Sequence, residues 1–524
     1  MKKILRTNWE RYKNSEEGKN VIAQFNRLTS LECTAEEMYA IIKRFNPIFA
    51  QNTTTKEDAD NIEAIAYYDK VVKNTLSEDE EERSTIDYVD FFAWLTSCMA
   101  VEDEKVDLFD APQIGFKRIL GYNAFLSMAL SKYMPEFFIP NLFVMQFVYF
   151  KKFIDKYELE IPEMPLRSDY RGRWLYYFHM CNSIVTFSEE NDLQDFGELC
   201  AFLFDYELTN IKEEMEIEHN KPMPKIPEQA WILVGNYGDG EKSMKEGVWQ
   251  ANPLTSKGDI MLFYEKSPVK KLNAVWTALE DGFVDPFGPY YSYSIIGKKI
   301  EIPSDKAITF EDFKNSEYFK VESRGREGNF VSKNFQDVSG WAVTSEDYAE
   351  IKRMFKDKGF DTSVLPSLYV PKKLAEVEIE HEADVSNKLL VPLLEEMGWE
   401  LGKDFEAEVE FPAGRGSTGH QMEKRPDFCL HLTGKDKVDR GAKVVIEVKL
   451  YMKNNEEIEA NYKQGLSYAK WGEAQVLVLC DKYQIRVYER NKKGKFDENK
   501  WVRFRWEEME NLEKFNELKR MLNI

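Results

Sequence analysis

Through the first 222 residues, apolar side chains return every three or four positions, the spacing that gathers them on one face of an α-helix. The pattern predicts helices over 34–43, 58–74, 85–101, 115–133, 142–157, 171–187 and 193–208. Thr34 with Glu37 three residues on is a capping-box start. After Pro222-Met223-Pro224-Lys225-Ile226-Pro227 the period changes. Short apolar runs at Trp231–Gly235, Gly258–Tyr264, Asn273–Leu279 and Tyr291–Ile296 are separated by Gly- and Pro-marked turns, which predicts strands. Gly340-Trp341-Ala342-Val343 then leads into a helix capped by Thr344 or Ser345. Several short strands closed by one helix predict a small β-barrel. A second linker covers 361–373, and mixed periods follow. A helix is predicted over 382–397, strands over 407–411, 425–430, 444–450, 474–480 and 484–488, a helix over 456–471, and an amphipathic tail helix over 506–522. Val476 to Leu479 is uniformly apolar, as in a strand buried on both faces. The expected fold class is multidomain: a helical part over 1–222, a β-barrel over 229–360 and an α/β domain over 375–524. A length of 524 residues agrees with about three domains.

Composition adds three constraints. The chain is 43% hydrophobic and 14% aromatic, enough for several cores. Its net charge of −21 argues against a general basic coat for nucleic acid but leaves room for a local basic cleft. The acidic run at 77–82 reads as solvated. Six cysteines, none in a C-x-x-C pair, read as reduced core thiols of a cytoplasmic protein. The longest apolar stretch, near 140–150, is too short to span a bilayer, so no membrane partner is expected. Aromatic stripes such as Trp174-Leu175-Tyr176-Tyr177-Phe178 read as core, with His179 packed beside them, and Arg167, Arg171 and Arg173 as a solvated turn. This helical part carries no assigned chemistry; scaffold, dimerisation and sensing all stay open for it. There is no phosphate-binding G-x-x-x-x-G-K-[ST] loop, so any translocation needs an NTPase partner in trans. Gly414-Arg415-Gly416-Ser417-Thr418-Gly419 precedes a strand and reads as a loop.

The candidate chemistry lies in Arg425-Pro426-Asp427-Phe428-Cys429-Leu430 and Val444-Val445-Ile446-Glu447-Val448-Lys449-Leu450. Glu447 and Lys449 are two apart, so a strand projects both from one face, and Asp427 opens the neighbouring strand. Two carboxylates suit Mg²⁺, or Mn²⁺ in its place, because such cations take oxygen ligands. An isolated E-x-K is more often the solvated edge of an amphipathic strand. Here the order is richer: Glu382 on a preceding helix, Pro426-Asp427, Glu447-x-Lys449, then Gln464 and Tyr468 four apart on a later helix.

That order resembles the PD-(D/E)xK nuclease superfamily, and within it the nuclease domain of type I restriction motor subunits. Val391-Pro392-Leu393-Leu394-Glu395-Glu396-Met397-Gly398-Trp399 is similar to the end of that group's opening helix. The resemblance implies a Mg²⁺-dependent endonuclease. Asp427 and Glu447 would ligate the metal with help from Glu382, Lys449 would steady the nucleophile or transition state, and Gln464 and Tyr468 would support the site. Basic residues Lys424, Arg425, Lys443, Lys453, Lys463, Lys470, Arg486, Arg490, Lys492 and Lys493 offer a phosphate rim or an ordinary charged surface.

The middle third is similar to the PUA-like superfamily, in its EVE and YTH branches. The resemblance rests on Gly247-Val248-Trp249-Gln250-Ala251-Asn252, the Lys257-Gly258-Asp259 turn into an apolar strand, and Ala274-Val275-Trp276. It implies a domain that takes an extruded, often methylated base into an aromatic cage. Trp249 would be one wall, with Phe287, Tyr290 or Tyr291 as the other; Trp249 as core is the equal alternative. Trp231, Trp276 and Trp341 read as barrel core. Together the two resemblances imply a modification-dependent endonuclease acting on foreign DNA that carries a modified base, with Mg²⁺ or Mn²⁺ as its cofactor, and compatible with a homodimer. Two rivals stand beside it: a non-catalytic reader of modified bases and an RNA-directed nuclease.

Overall fold

A computed structural model describes residues 2–46, 54–76, 93, 95, 111–141, 147–193, 195–222, 226–235, 247–320, 330–373, 377–411, 425–434, 440–491 and 494–523. The predicted helix over 85–101 (apart from 93 and 95), the first residues of the one over 142–157, the acidic run at 77–82, the loop at 414–419, Cys98, Lys424, Lys492 and Lys493 lie outside these residues. The chain divides into two compact units. One comprises Met1–Lys225, Trp231–Ala342 and Met354–Leu365, the other Ile226–Ala230, Val343–Arg353 and Pro366–Ile524. Among the described residues, no helix is long and apolar enough to cross a membrane, and the five cysteines present are buried free thiols.

The first unit joins a helical region to a curled sheet. Thr34 caps Ala35–Phe45 reciprocally with Glu37, as its sequence predicts. Ser15 and Asp169 cap Glu16–Leu28 and Tyr170–Glu190 by accepting from Gly18 and Gly172 N–H. The aromatic stripes are core: Trp174 stacks on Tyr177 at 5.2 Å between ring centroids, and both are fully buried. His179 departs from its expected place and is exposed, because it falls on the outer side of the helix that buries Tyr176, Tyr177 and Met180. The sheet runs in the order Gly247–Gln250, Ser292–Glu301, Lys271–Ala278, Ile260–Glu265, Ala230–Gly235, Trp341–Val343 and curls into a half-barrel. One face of it packs a core of Trp231, Met261, Phe263, Trp276 and Ile296. Asp259 of the Lys-Gly-Asp turn is built in: its Oδ2 accepts from Trp231 Nε1 at 2.7 Å and from Ser256 N at 2.8 Å. Trp341 is only half-buried, at the end of the strand order, with Lys333 over its ring.

The second unit is a six-stranded sheet in the order Val502–Arg505, Gln484–Glu489, Val476–Cys480, Gly441–Val448, Phe428–Thr433, Phe405–Ala407. Neighbours are antiparallel except Gly441–Val448 and Val476–Cys480, which run parallel. Parallel strands need a crossover, and the helix Asn455–Trp471 supplies it, capped by Asn454. Gly465 lets this helix approach closely; a Cβ there would lie 2.7 Å from Leu477 Cδ1. Side-chain alternation gives the sheet two cores. Val444, Ile446 and Val448 pack with Leu389, Leu393, Phe515 and Leu518 on one face. Val445, Cys429, Leu477 and Leu479 pack with Tyr462 and Ala469 of the crossover helix on the other. The strand Val476–Cys480 is buried throughout, as its apolar run requires.

Several elements differ from the sequence pattern. The helix expected over 115–133 is two, Ala111–Gly121 and Asn123–Tyr133. That expected over 193–208 starts at Phe196 and passes through a π-turn over Phe202–Tyr206. The strands expected over 425–430 and 444–450 are Phe428–Thr433 and Gly441–Val448. The strand expected over 407–411 is Phe405–Ala407, because Glu408 turns into the left-handed region at φ 50° and ends it. The helix expected over 382–397 is broken by a π-turn over Val385–Leu390 before Val391–Glu396. Pro392 has no N–H for the regular ladder, which accounts for the irregular turn before it.

Candidate active site

Strand register brings the predicted carboxylates together. Phe428 pairs with Ile446 in antiparallel register, which sets Asp427, one residue earlier, opposite Glu447. Alternation along Gly441–Val448 puts Glu447 on the same face as Val445, toward the crossover helix, and Lys449 follows two residues on. Val448 N donates to Asp427 Oδ2 at 2.6 Å, and Lys449 N donates to Cys480 O at 2.9 Å, so both neighbouring strands hold this strand end. Lys449 Nζ donates to Glu447 Oε1 at 2.6 Å and to Val448 O at 2.9 Å. It also lies 3.9 Å from Glu382 Oε1, at the start of the first helix.

Burial sets the electrostatics. Glu447 is 2% exposed. Burial pushes its pKa up to about 7; the Lys449 contact opposes that and the charges of Asp427 and Glu382 add to it. Burial also raises Asp427, against the Val448 N–H and the Lys449 charge, with Glu408 contributing a further upward push. Burial works to lower Lys449, but its contact with Glu447 and the charges of Glu382 and Asp427 outweigh it, and the ammonium stands above its ordinary value. Glu408 is a member of this electrostatic group that the sequence pattern hides, since it reads as one more alternating strand residue.

Glu447 Oε2 is buried and has no hydrogen-bond partner among the described residues. A buried carboxylate oxygen without a donor is costly. A hard cation shared with Asp427 would remove that cost, and the donor set, all carboxylate oxygen, is the kind Mg²⁺ prefers. Among the described residues no group of three or more His, Cys, Asp or Glu stands ready as a metal cage. Mg²⁺ commonly takes one or two carboxylates and keeps its waters, so the pair Asp427 and Glu447 meets the requirement without a third protein ligand.

Gln464 and Tyr468 share a face of the crossover helix, where Gln464 Nε2 donates to the Tyr468 hydroxyl at 3.0 Å. Several of the basic residues have structural work. Arg425 pairs with Glu410, and Lys463 with Glu459. Arg486 lies over Trp501 at 4.5 Å, and Arg490 donates to Ala469 O at 3.2 Å. Lys453 and Lys470 are exposed.

The aromatic cage expected in the first unit is not assembled as its sequence suggests. Phe287 is 3% exposed, packed against Phe147, Tyr176 and Tyr177 of the helical region, with no face for a base. The Tyr291 hydroxyl donates to Pro165 O, and its ring lies under Arg173. Arg173 itself is buried, not solvated: it donates to Pro286 O at 2.7 Å and to Gly288 O at 3.0 Å. Tyr290 keeps an exposed ring but packs on Tyr293. Trp249 pairs with Ser294 and Gln250 with Tyr293, so Trp249 and Tyr293 point to opposite faces of the sheet, and Tyr290 goes with Tyr293. Trp249 stands edge-on to Phe263 at 5.5 Å, half-buried against the Trp231 and Trp276 core, and its Nε1 has no partner among the described residues.

Comparison of the chain with protein-family models, with curated proteins and with solved structures finds no match in any of the three.

Proposed function

We propose that the second unit is a metal-dependent nuclease of PD-(D/E)xK type and that the chain cuts nucleic acid by phosphodiester hydrolysis. One observation carries the reading: Asp427, Glu447 and Lys449 converge at one strand end, and the buried Glu447 Oε2 lacks a partner among the described residues. A structural ion pair is the competing account. A buried pair is weak support for stability, and a second carboxylate set beside Glu447 makes the pair still less favourable. The same arrangement is useful for holding a cation.

Asp427 and Glu447 would hold Mg²⁺ or Mn²⁺, with Glu382, 3.9 Å from Lys449 Nζ, assisting. When bound, the cation supplies an acidified water and takes up charge on a phosphoryl oxygen. Val448 N–H holds the Asp427 carboxylate in place. Lys449, kept protonated by its acidic neighbours, presents positive charge where the phosphorane builds up negative charge.

The curled sheet of the first unit is proposed as a PUA-like reader of a modified base. Its support is narrower: a half-buried tryptophan, Trp249, whose indole N–H has no partner among the described residues. The role in view is restriction of modified foreign DNA. Incubation with Mg²⁺ and matched modified and plain DNA and RNA tests the whole reading. Cleavage of modified DNA above plain DNA is expected, and cleavage of RNA alone would move the assignment to an RNA nuclease.

A further inference from the structure

The parallel strands Gly441–Val448 and Val476–Cys480 end at the same edge of their sheet. The chain leaves them as Lys449-Leu450-Tyr451 and Asp481-Lys482-Tyr483, side by side, with Lys482 N donating to Leu450 O at 3.3 Å. Tyr451 and Tyr483 meet edge to face, 5.2 Å between ring centroids at 78°. They remain 41% and 56% exposed. Lys482 Nζ lies over both rings, at 5.9 Å and 5.3 Å.

Asp481 fixes the two loops. It is fully buried. Its Oδ1 accepts from Tyr483 N at 2.9 Å and Gln484 N at 3.1 Å, and its Oδ2 accepts from Met452 N at 3.2 Å. One carboxylate therefore holds the backbone next to both tyrosines. The exposed rings are set on a rigid support two residues beyond Lys449, where little ordering is left to be done on binding.

We propose that Tyr451, Tyr483 and Lys482 form a stacking platform for an unpaired nucleotide beside the scissile phosphate. An aromatic face accepts any base, and a cation next to it suits the adjoining phosphate. A base inside an intact duplex has its faces covered, so the platform selects a single strand, an open end or a locally melted segment. This inference rests on the nuclease reading for its place in the reaction, but the binding itself does not.

The test uses the full chain in EDTA, where cleavage is off, with three fluorescent probes: a short single strand, the same strand with abasic positions, and a covalently closed duplex without ends. Tyr451→Ala and Tyr483→Ala should each weaken single-strand binding roughly five- to a hundredfold. Duplex binding, set by phosphate contacts, should stay within about twofold. The Tyr→Phe variants should bind like wild type, and the abasic strand should bind wild type as weakly as the intact strand binds the Ala variants. Unchanged melting temperatures exclude a folding defect, since both rings are exposed. Equal binding of the single strand by wild type and Ala variants overturns the platform, as does absence of single-strand binding by wild type. A parallel Mg²⁺ assay separates the two ideas. Cleavage that persists while the Ala variants bind normally removes the platform and leaves the nuclease. Ring-dependent binding without cleavage leaves the platform and removes the nuclease.

Discussion

The backbone N–H of Val448 donates to Oδ2 of Asp427 at 2.6 Å, tying the residue before one strand to the last residue of the next. This bond fixes Asp427 beside Glu447 without using either oxygen of Glu447. Among the described residues it leaves the buried Glu447 Oε2 without a donor.

That arrangement predicts a pH-dependent response to metal. Glu447 rises from an ordinary 4.5 to about 7 in the folded chain. The folded state therefore holds a proton that the unfolded state has released, and Glu447's contribution to stability is present below about 4.5 and lost as pH rises through about 7. Mg²⁺ needs the ionised carboxylate, so it should raise the melting temperature more above pH 7 than near pH 4.5. Glu447→Gln should flatten the pH profile over that window and abolish the Mg²⁺ response. Thermal melts across pH, with and without Mg²⁺, check this. An equal Mg²⁺ effect at both ends of the window would speak against a cation on Glu447.

Phe287→Ala tests the corrected role of the aromatic turn. Phe287 fills a site between three aromatic rings of the helical region, so the truncation should cost about 3–5 kcal/mol by denaturant unfolding. It should leave any preference between modified and plain DNA unchanged in the folded fraction. A selective loss of that preference with full stability would return Phe287 to the base pocket.

Asp481→Ala removes the acceptor for three backbone N–H groups. The buried Met452 donor left alone costs about 1–3 kcal/mol and the part-buried Tyr483 and Gln484 donors add less, so a destabilisation of about 2 kcal/mol or more is expected. Amide exchange at Met452, Tyr483 and Gln484 should accelerate above that of the strand Val476–Cys480. Uniform exchange across both segments would mean that the carboxylate does not organise these loops.

The sequence carries the site better than its surroundings, for a physical reason. Alternation alone puts Glu447 and Lys449 on one face, and an apolar run alone buries Val476–Leu479. Cap chemistry alone starts the helix at Ala35. These are local rules, and the fold obeys them. Asp285-Pro286-Phe287-Gly288-Pro289-Tyr290-Tyr291 has the same composition whether it faces solvent or another part of the chain. The burial of Asp285 to Gly288 comes from residues more than a hundred positions away: Phe147, Tyr176 and Tyr177 around Phe287, and Arg173, which bonds Pro286 O and Gly288 O. The register that sends Trp249 and Tyr293 to opposite faces is likewise invisible until the strands pair. Glu408 joins the site electrostatics only because the strand ends one residue before it.

The central claim is that Asp427, Glu447 and Lys449 form a hydrolytic metal site. The most direct measurement is the initial rate of nucleic-acid cleavage in Mg²⁺ by wild type and by Asp427→Ala, Glu447→Ala and Lys449→Ala, each shown folded by its melting curve. Wild type should cut, EDTA should stop it, and each variant should lose at least about a thousandfold, the scale of several kcal/mol of transition-state stabilisation. Wild-type rates in folded Asp427→Ala and Glu447→Ala proteins would contradict it.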